Sequence, residues 1–431
     1  MGQTKSGIIN LERYLLYGMI LSMATYPIPF LRISAEESIF PIGGLFIPLS
    51  SFLLLIRFFA SGKFFLNKIL IVSLSLLYFS ILLASLISIH IEAERIFKLS
   101  IFMLLTVLFT GVLTNYKSLR TSLYCIILIG LILAIYGFYG YFTGNVGEDV
   151  QKHWWWNYAR YWGIHYLPST RNSDVYYVAI PLIIVSALIL YGNLRSFFTK
   201  LLLIVTSMIF SLAILLSFSR GAWVSIIVTV AVLLSMIWKK RGIFKRKRLR
   251  LWLSIFFGAI LFLIIGFKTL NYFGLHNYFI GKMISIAFPE RAGYYLEETL
   301  SNEDRIEILK ATFNIILSNP LGVGPDNLRY FYNSYGLYVN HPENTYLHVL
   351  SENGIFGFLG ILVFIFYPLL ILYKKIKAGY GDWVMMGIFL TSIYLATSYM
   401  FNVGTFSFYN WVLHSIIWSG VAIKEQGAVN D

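Results

Sequence analysis

The sequence predicts an all-α, polytopic membrane protein: about twelve transmembrane helices carrying a helical extracytoplasmic loop subdomain. Three observations predict it. Hydrophobic residues make up 58% of the 431-residue chain and charged residues only 13%, with a mean hydropathy of +0.72. Apolar runs of about 20 residues recur, each long enough to cross a bilayer core. Lys and Arg collect in the short connections between alternate runs.

Taken in order, the runs cover 14–32, 43–60, 69–90, 96–114, 121–141, 176–192, 201–217, 221–238, 251–268, 354–373, 383–400 and 405–422. The first has full spanning length and no small-residue cleavage site after it, so it reads as a retained helix and not a signal peptide. One set of connections holds Lys5 and Arg13, Lys63 and Lys68, Lys117 and Arg120, and Arg195 and Lys200. The same set holds the basic run from Lys239 to Arg250, then Lys374, Lys375 and Lys377. With this span count all of them fall on one side, which the positive-inside rule makes the cytoplasm, and both termini lie there. The net charge of +14 is therefore a topology signal with anionic-lipid contact, and not a nucleic-acid footprint. The lone Cys125 lies in an apolar run, which excludes a disulfide framework.

The opposite face carries the two longest connections, about 143–176 and 271–353, and long loops carry function. Residues 1–431 read as one membrane domain, with 271–353 as a loop subdomain between the ninth and tenth spans. The first loop is rich in aromatic residues, and Trp154 to Trp156 suit an interfacial belt. In the second, Ser301 and Asp304 have the spacing of a capping box. Ile306, Leu309, Phe313, Ile316 and Leu317 form an apolar stripe at helical spacing, expected to pack as core. Asn319-Pro320 ends that helix, and Gly322 to Asn327 reads as a turn, since no βαβ context accompanies its glycines.

The chemistry is expected on this outer face. Arg220 opens the eighth span with apolar sequence on both sides and no carboxylate nearby in sequence. A charge at a helix centre costs about 2.5 kcal/mol or more, so it faces protein, water or an anion, or else snorkels to headgroups. Arg160, Arg171, Arg291 and Arg305 are further outer-side guanidinium groups, whose forks suit phosphate oxygens. The competing role for each is an ion pair with Glu303, Asp304 or Glu307. His341 and Glu343, just before the tenth span, are candidate general bases for a sugar hydroxyl. Asn344 is both a candidate helix cap and a candidate substrate contact. His348 reads as a packing residue. No metal-ligand spacing, Walker motif, HExxH or GxSxG occurs. No cofactor or metal is expected, and an activated donor has to arrive on a carrier such as a lipid pyrophosphate.

Three segments in order resemble the O-antigen ligase and polymerase superfamily. They are Ser219-Arg220-Gly221-Ala222-Trp223, then Asp304-Arg305-Ile306 through Asn319-Pro320 to Pro325, and Glu343-Asn344 followed by Gly354 to Gly357. The resemblance implies a type-C membrane glycosyltransferase of lipopolysaccharide or other cell-envelope polysaccharide synthesis. Such an enzyme sits in the bacterial inner membrane with its active site on the periplasmic face. It moves a glycan en bloc, without metal, from undecaprenyl pyrophosphate to a hydroxyl of a glycan or lipid-linked acceptor. The implied partners are that donor, that acceptor and membrane lipid. Carried over, Arg220 binds pyrophosphate and Arg305 or Arg291 is the second clamp. The ligase members have histidine at the position of Glu343, so either Glu343 or the offset His341 serves as base, or the chain polymerises. A secondary transporter of bicarbonate or another small anion is the alternative. Against it, the basic loop follows the eighth span and not the sixth, and paired broken helices are lacking.

Overall fold

The computed structural model describes residues 67–113, 115–143, 175–217, 219–239, 302–402 and 408–423, with isolated positions between 14 and 21. Among these the chain is entirely helical. The helices are α1 (Lys68–Ile87), α2 (Ala93–Val112), α3 (Tyr116–Thr143), α4 (Tyr176–Tyr191), α5 (Phe197–Leu216), α6 (Arg220–Lys239), α7 (Asn302–Ser318), α8 (Leu328–Ser334), α9 (Thr345–Lys377), α10 (Trp383–Ser398) and α11 (Phe408–Ala422). By length and composition, α1, α2, α3, α5 and α9 can each cross a membrane, while α4, α6 and α10 are shorter apolar helices. The expected spans at 43–60 and 251–268, and nearly all of 14–32, lie outside the described residues.

Short polar residues start these helices. Asn67 accepts from the Ile69 N–H, Asp382 from Met385 N–H and Asn344 from Leu347 N–H, each satisfying a donor that the first turn leaves open. At the far end of α9, the Lys375 ammonium donates to the carbonyls of Gly420, Val421 and Ile423 and so closes the end of α11.

Small residues set the packing. The most extensive helix pair is α9 on α1. A Cβ on Gly360 would lie 2.9 Å from Leu77 Cγ, and one on Gly357 would lie 2.8 Å from Ser80 Oγ. Glycine at these positions lets two apolar helices approach closely, the usual device for association within lipid. α10 runs through the middle of the bundle, buried along nearly its whole length. By contrast Val72, Phe79, Leu82 and Leu86 of α1 point outward. An apolar face of that extent is what a bilayer covers.

One expectation is overturned on α7. The helix ends at Ser318, before Asn319-Pro320, but its buried stripe is Ile308, Ala311, Thr312 and Ile315. The expected core residues point out, with Phe313 52% and Leu317 78% exposed. The buried set is also at helical spacing, and it contains the small residues that let α8 and the 319–327 loop lie close. Ile308, Ala311 and Ile315 form a second small core with Val323, Leu328 and Tyr332. Within it the Thr312 and Tyr332 hydroxyls share a hydrogen bond of 2.6 Å. The Ser301–Asp304 capping box falls outside the described side chains.

Candidate active site

The site is built around a break in α9. Gly354 has φ 66° and ψ −167°, so the helix that enters at Thr345 is interrupted before its long apolar part begins. The interruption frees backbone groups inside the protein, where each needs a partner. The loop after α7 supplies them. Val323 N–H donates to the Ser351 carbonyl and Gly324 N–H to the Glu352 carbonyl, both at 2.9 Å, while Ile355 N–H donates to the Pro320 carbonyl at 3.1 Å. Contact this close excludes side chains: a Cβ on Gly322 would lie 2.4 Å from the Glu352 carbonyl oxygen, and one on Gly354 would lie 2.3 Å from the Leu321 carbonyl carbon. Gly322 and Gly324 also have φ of 92° and 93°, open to glycine at little cost. The Gly322 to Asn327 segment is thus a turn, as its composition suggests, and its work is to dock α7 onto the break.

In the same turn, Asp326 holds a left-handed backbone (φ 62°). Its N–H donates to Glu352 Oε1 at 2.8 Å. Its carboxylate meets Arg95 at 3.2 Å and Arg329 at 3.7 Å, and Arg329 also pairs with Glu92 at 2.8 Å. Buried Asn327 exchanges hydrogen bonds with the His90 backbone. These contacts fasten the loop to the turn between α1 and α2.

The residues before α9 bring the candidate bases in. Arg305, one turn into α7, meets Glu343 Oε2 at 3.0 Å, with the two side chains 40% and 37% exposed. Its competing ion-pair role is therefore filled, though by a carboxylate 38 positions away and not by Glu303, Asp304 or Glu307. Arg329 is likewise paired with Glu92 and Asp326. The Arg305 Nε is buried without a hydrogen-bond partner among the described residues. Glu343 itself sits at φ 50°, a backbone region that side-chain-bearing residues hold only when their surroundings fix them. His341 is half-buried, and its Nδ1 has no hydrogen-bond partner among the described residues. Burial first, and then the neighbouring His348, hold its imidazole below the ordinary pKa, while Glu343 and Glu352 pull the other way. Asn344 is committed as a cap, and its Nδ2 also donates to the Met400 carbonyl at 3.1 Å.

The arginine motif reaches the same end of the bundle. Arg220 is the first residue of α6, and the description stops at its backbone. Next to it, a Cβ on Gly221 would lie 2.7 Å from Phe401 Cβ. The 399–402 turn that holds Phe401 also accepts the Thr345 N–H through the Tyr399 and Asn402 carbonyls. So α6, the His341–Asn344 segment and the Arg305 helix converge where α9 begins, at the opposite end of α9 from Lys374, Lys375 and Lys377. Arg160, Arg171 and Arg291 lie outside the described residues.

Sequence reading passed over Glu352 and took His348 for packing. In the structure they form a buried pair, His348 Nε2 to Glu352 Oε1 at 3.1 Å. The signal was present: a carboxylate inside an apolar stretch, one helical turn after a histidine.

Among the described residues, fold and site define an all-helical protein with membrane-crossing helices, in which Arg305, His341, Glu343 and His348 gather beside a broken helix. A family model described as O-Antigen ligase matches residues 205–362, the part of the chain that runs from α5 into α9. The resemblance drawn from the three motifs is thereby shown over that segment, and it supports a membrane glycosyltransferase of the ligase type. Comparison with curated proteins gave no match.

Proposed function

We propose that the protein transfers or polymerises an oligosaccharide en bloc from undecaprenyl pyrophosphate to an acceptor hydroxyl on the extracytoplasmic face, without a metal. The observation that carries this reading is the meeting of the α6 start, Arg305 and the His341–Glu343 segment at one end of the bundle. In the reaction the acceptor oxygen bonds to the anomeric carbon of the donor sugar. The bond from that carbon to pyrophosphate breaks, and the hydroxyl proton passes to a base. Departing diphosphate develops negative charge, which Arg220 and Arg305 match as preorganised cations. Arg291 is the further clamp on the donor, and Arg160 and Arg171 contact it from the first long loop.

An arriving diphosphate competes with Glu343 for the Arg305 fork. Half-exposed ion pairs contribute only about 0–1 kcal/mol, so the exchange is easy. With Glu343 occupied at rest and His341 favouring its neutral form, the imidazole is the better placed base.

The test is transfer from a synthetic polyprenyl-pyrophosphate oligosaccharide by the purified, chelator-treated full chain. Arg220→Ala is expected to lower turnover by about a hundred-fold or more while the protein stays folded. Near-normal turnover would refute the role, and anion uptake into proteoliposomes without glycan transfer would favour the transporter.

A further inference from the structure

We infer that His348 and Glu352 act as a buried positioning pair behind His341, setting the charge against which its imidazole accepts the acceptor proton. The inference rests on the proposed base role of His341. His348 and Glu352 stand one turn apart on the first segment of α9, outside its long apolar part, with side chains only 4% and 3% exposed. Glu352 is held from two sides, by His348 Nε2 at 3.1 Å and by the Asp326 N–H at 2.8 Å. The rings of His341 and His348 are neighbours, with centroids 6.2 Å apart and planes tilted by 43°.

A scaffold role alone accounts for these contacts poorly. A neutral side chain of similar size could receive the Asp326 N–H without the desolvation cost of a buried carboxylate and its partner. The pair also borders a cavity of about 20 Å³, room for one water. Its polar wall is His348, Glu352 and Asn353, whose Oδ1 is buried without a partner among the described residues. Among the described residues, the cavity walls from α1, α2 and α11 are apolar. The charged groups that act on His341 are Glu343 on its own segment and the pair itself on α9, while Arg305 meets Glu343 from α7 and Tyr332 of α8 acts on Glu352. Asp326 stands behind the pair.

The sign follows from this arrangement. Against His341, His348 opposes protonation and Glu352 favours it. The substitution His348→Gln keeps a donor for Glu352 and removes that opposition. His341 then takes a proton at higher pH, and the acid limb of the transfer pH profile should move up by about half a unit or more. An unmoved acid limb in a folded, active variant would overturn the inference and leave a structural pair only.

Histidine NMR titration of the wild-type full chain gives a second arm that does not depend on how the variant folds. The His348 ring resonances should respond when His341 takes its proton, and resonances that ignore that step overturn the inference. The two failures are separable. Full turnover in His341→Ala sinks the base reading, whereas loss of turnover there with an unmoved His348→Gln profile sinks only the pair.

Discussion

Glu343 occupies the position where ligase members of the resembled superfamily have histidine, and the ion pair to Arg305 shows what the carboxylate does at rest. Two substitutions separate its role from that of His341. Glu343→Gln removes a half-exposed ion pair, so unfolding free energy should change by less than about 1 kcal/mol. Its turnover should fall only several-fold. His341→Ala removes the proposed base, and turnover should fall by about a hundred-fold. Equal mild losses in steady-state rates would mean that neither residue takes the proton. Because burial lowers the His341 pKa, the acid limb of the wild-type profile belongs below the ordinary imidazole range. Activity is retained through mild acidification and lost only when the imidazole finally protonates. The types of these residues were legible in the sequence. The pairing was not, since Arg305 and Glu343 come together only after α7 and the entry to α9 have packed.

Among the elements, the glycine loop and the break in α9 form one unit. Gly354→Ala places a Cβ 2.3 Å from the Leu321 backbone and forces an alanine to φ 66°. The strain and the clash together should destabilise the protein by about 3 kcal/mol or more and release the loop from α9. Gly336→Ala is the control: φ is 73° there too, but nothing lies within 4 Å, so only the backbone cost of about 1–2 kcal/mol applies. Thermal unfolding of the two variants in detergent should rank them in that order, and equal shifts would mean that the loop is not docked as described. The turn was readable from its glycines and the end of α7 from Asn319-Pro320. Which face of α7 is buried was not readable, because both the set at 308, 311, 312 and 315 and the set at 306, 309, 313, 316 and 317 satisfy helical spacing. Only the close approach of α8 selects the one with small residues.

For the whole molecule, the ion pairs of Arg95, Asp326, Arg329 and Glu92 tie the loop region to the α1–α2 turn at one end of the bundle, while Lys375 closes the other. The positive-inside reading places the first end outside the cell and the second in the cytoplasm. In a Cys125→Ser background, a membrane-impermeant thiol reagent applied to intact spheroplasts should label the exposed position in Ser334→Cys and spare the one in Ala378→Cys. The reverse pattern would invert the topology and move the proposed site to the cytoplasmic face. The sequence by itself determined the helical class, the apolar spans, the cap at Asn344 and the side on which charge collects. All of these follow from hydropathy and local backbone chemistry over a few turns. The tertiary structure alone decided which apolar faces meet protein and which meet lipid, because within a membrane both look the same in sequence. It also decided which carboxylate each guanidinium finds, since charges far apart along the chain are paired by packing and not by spacing.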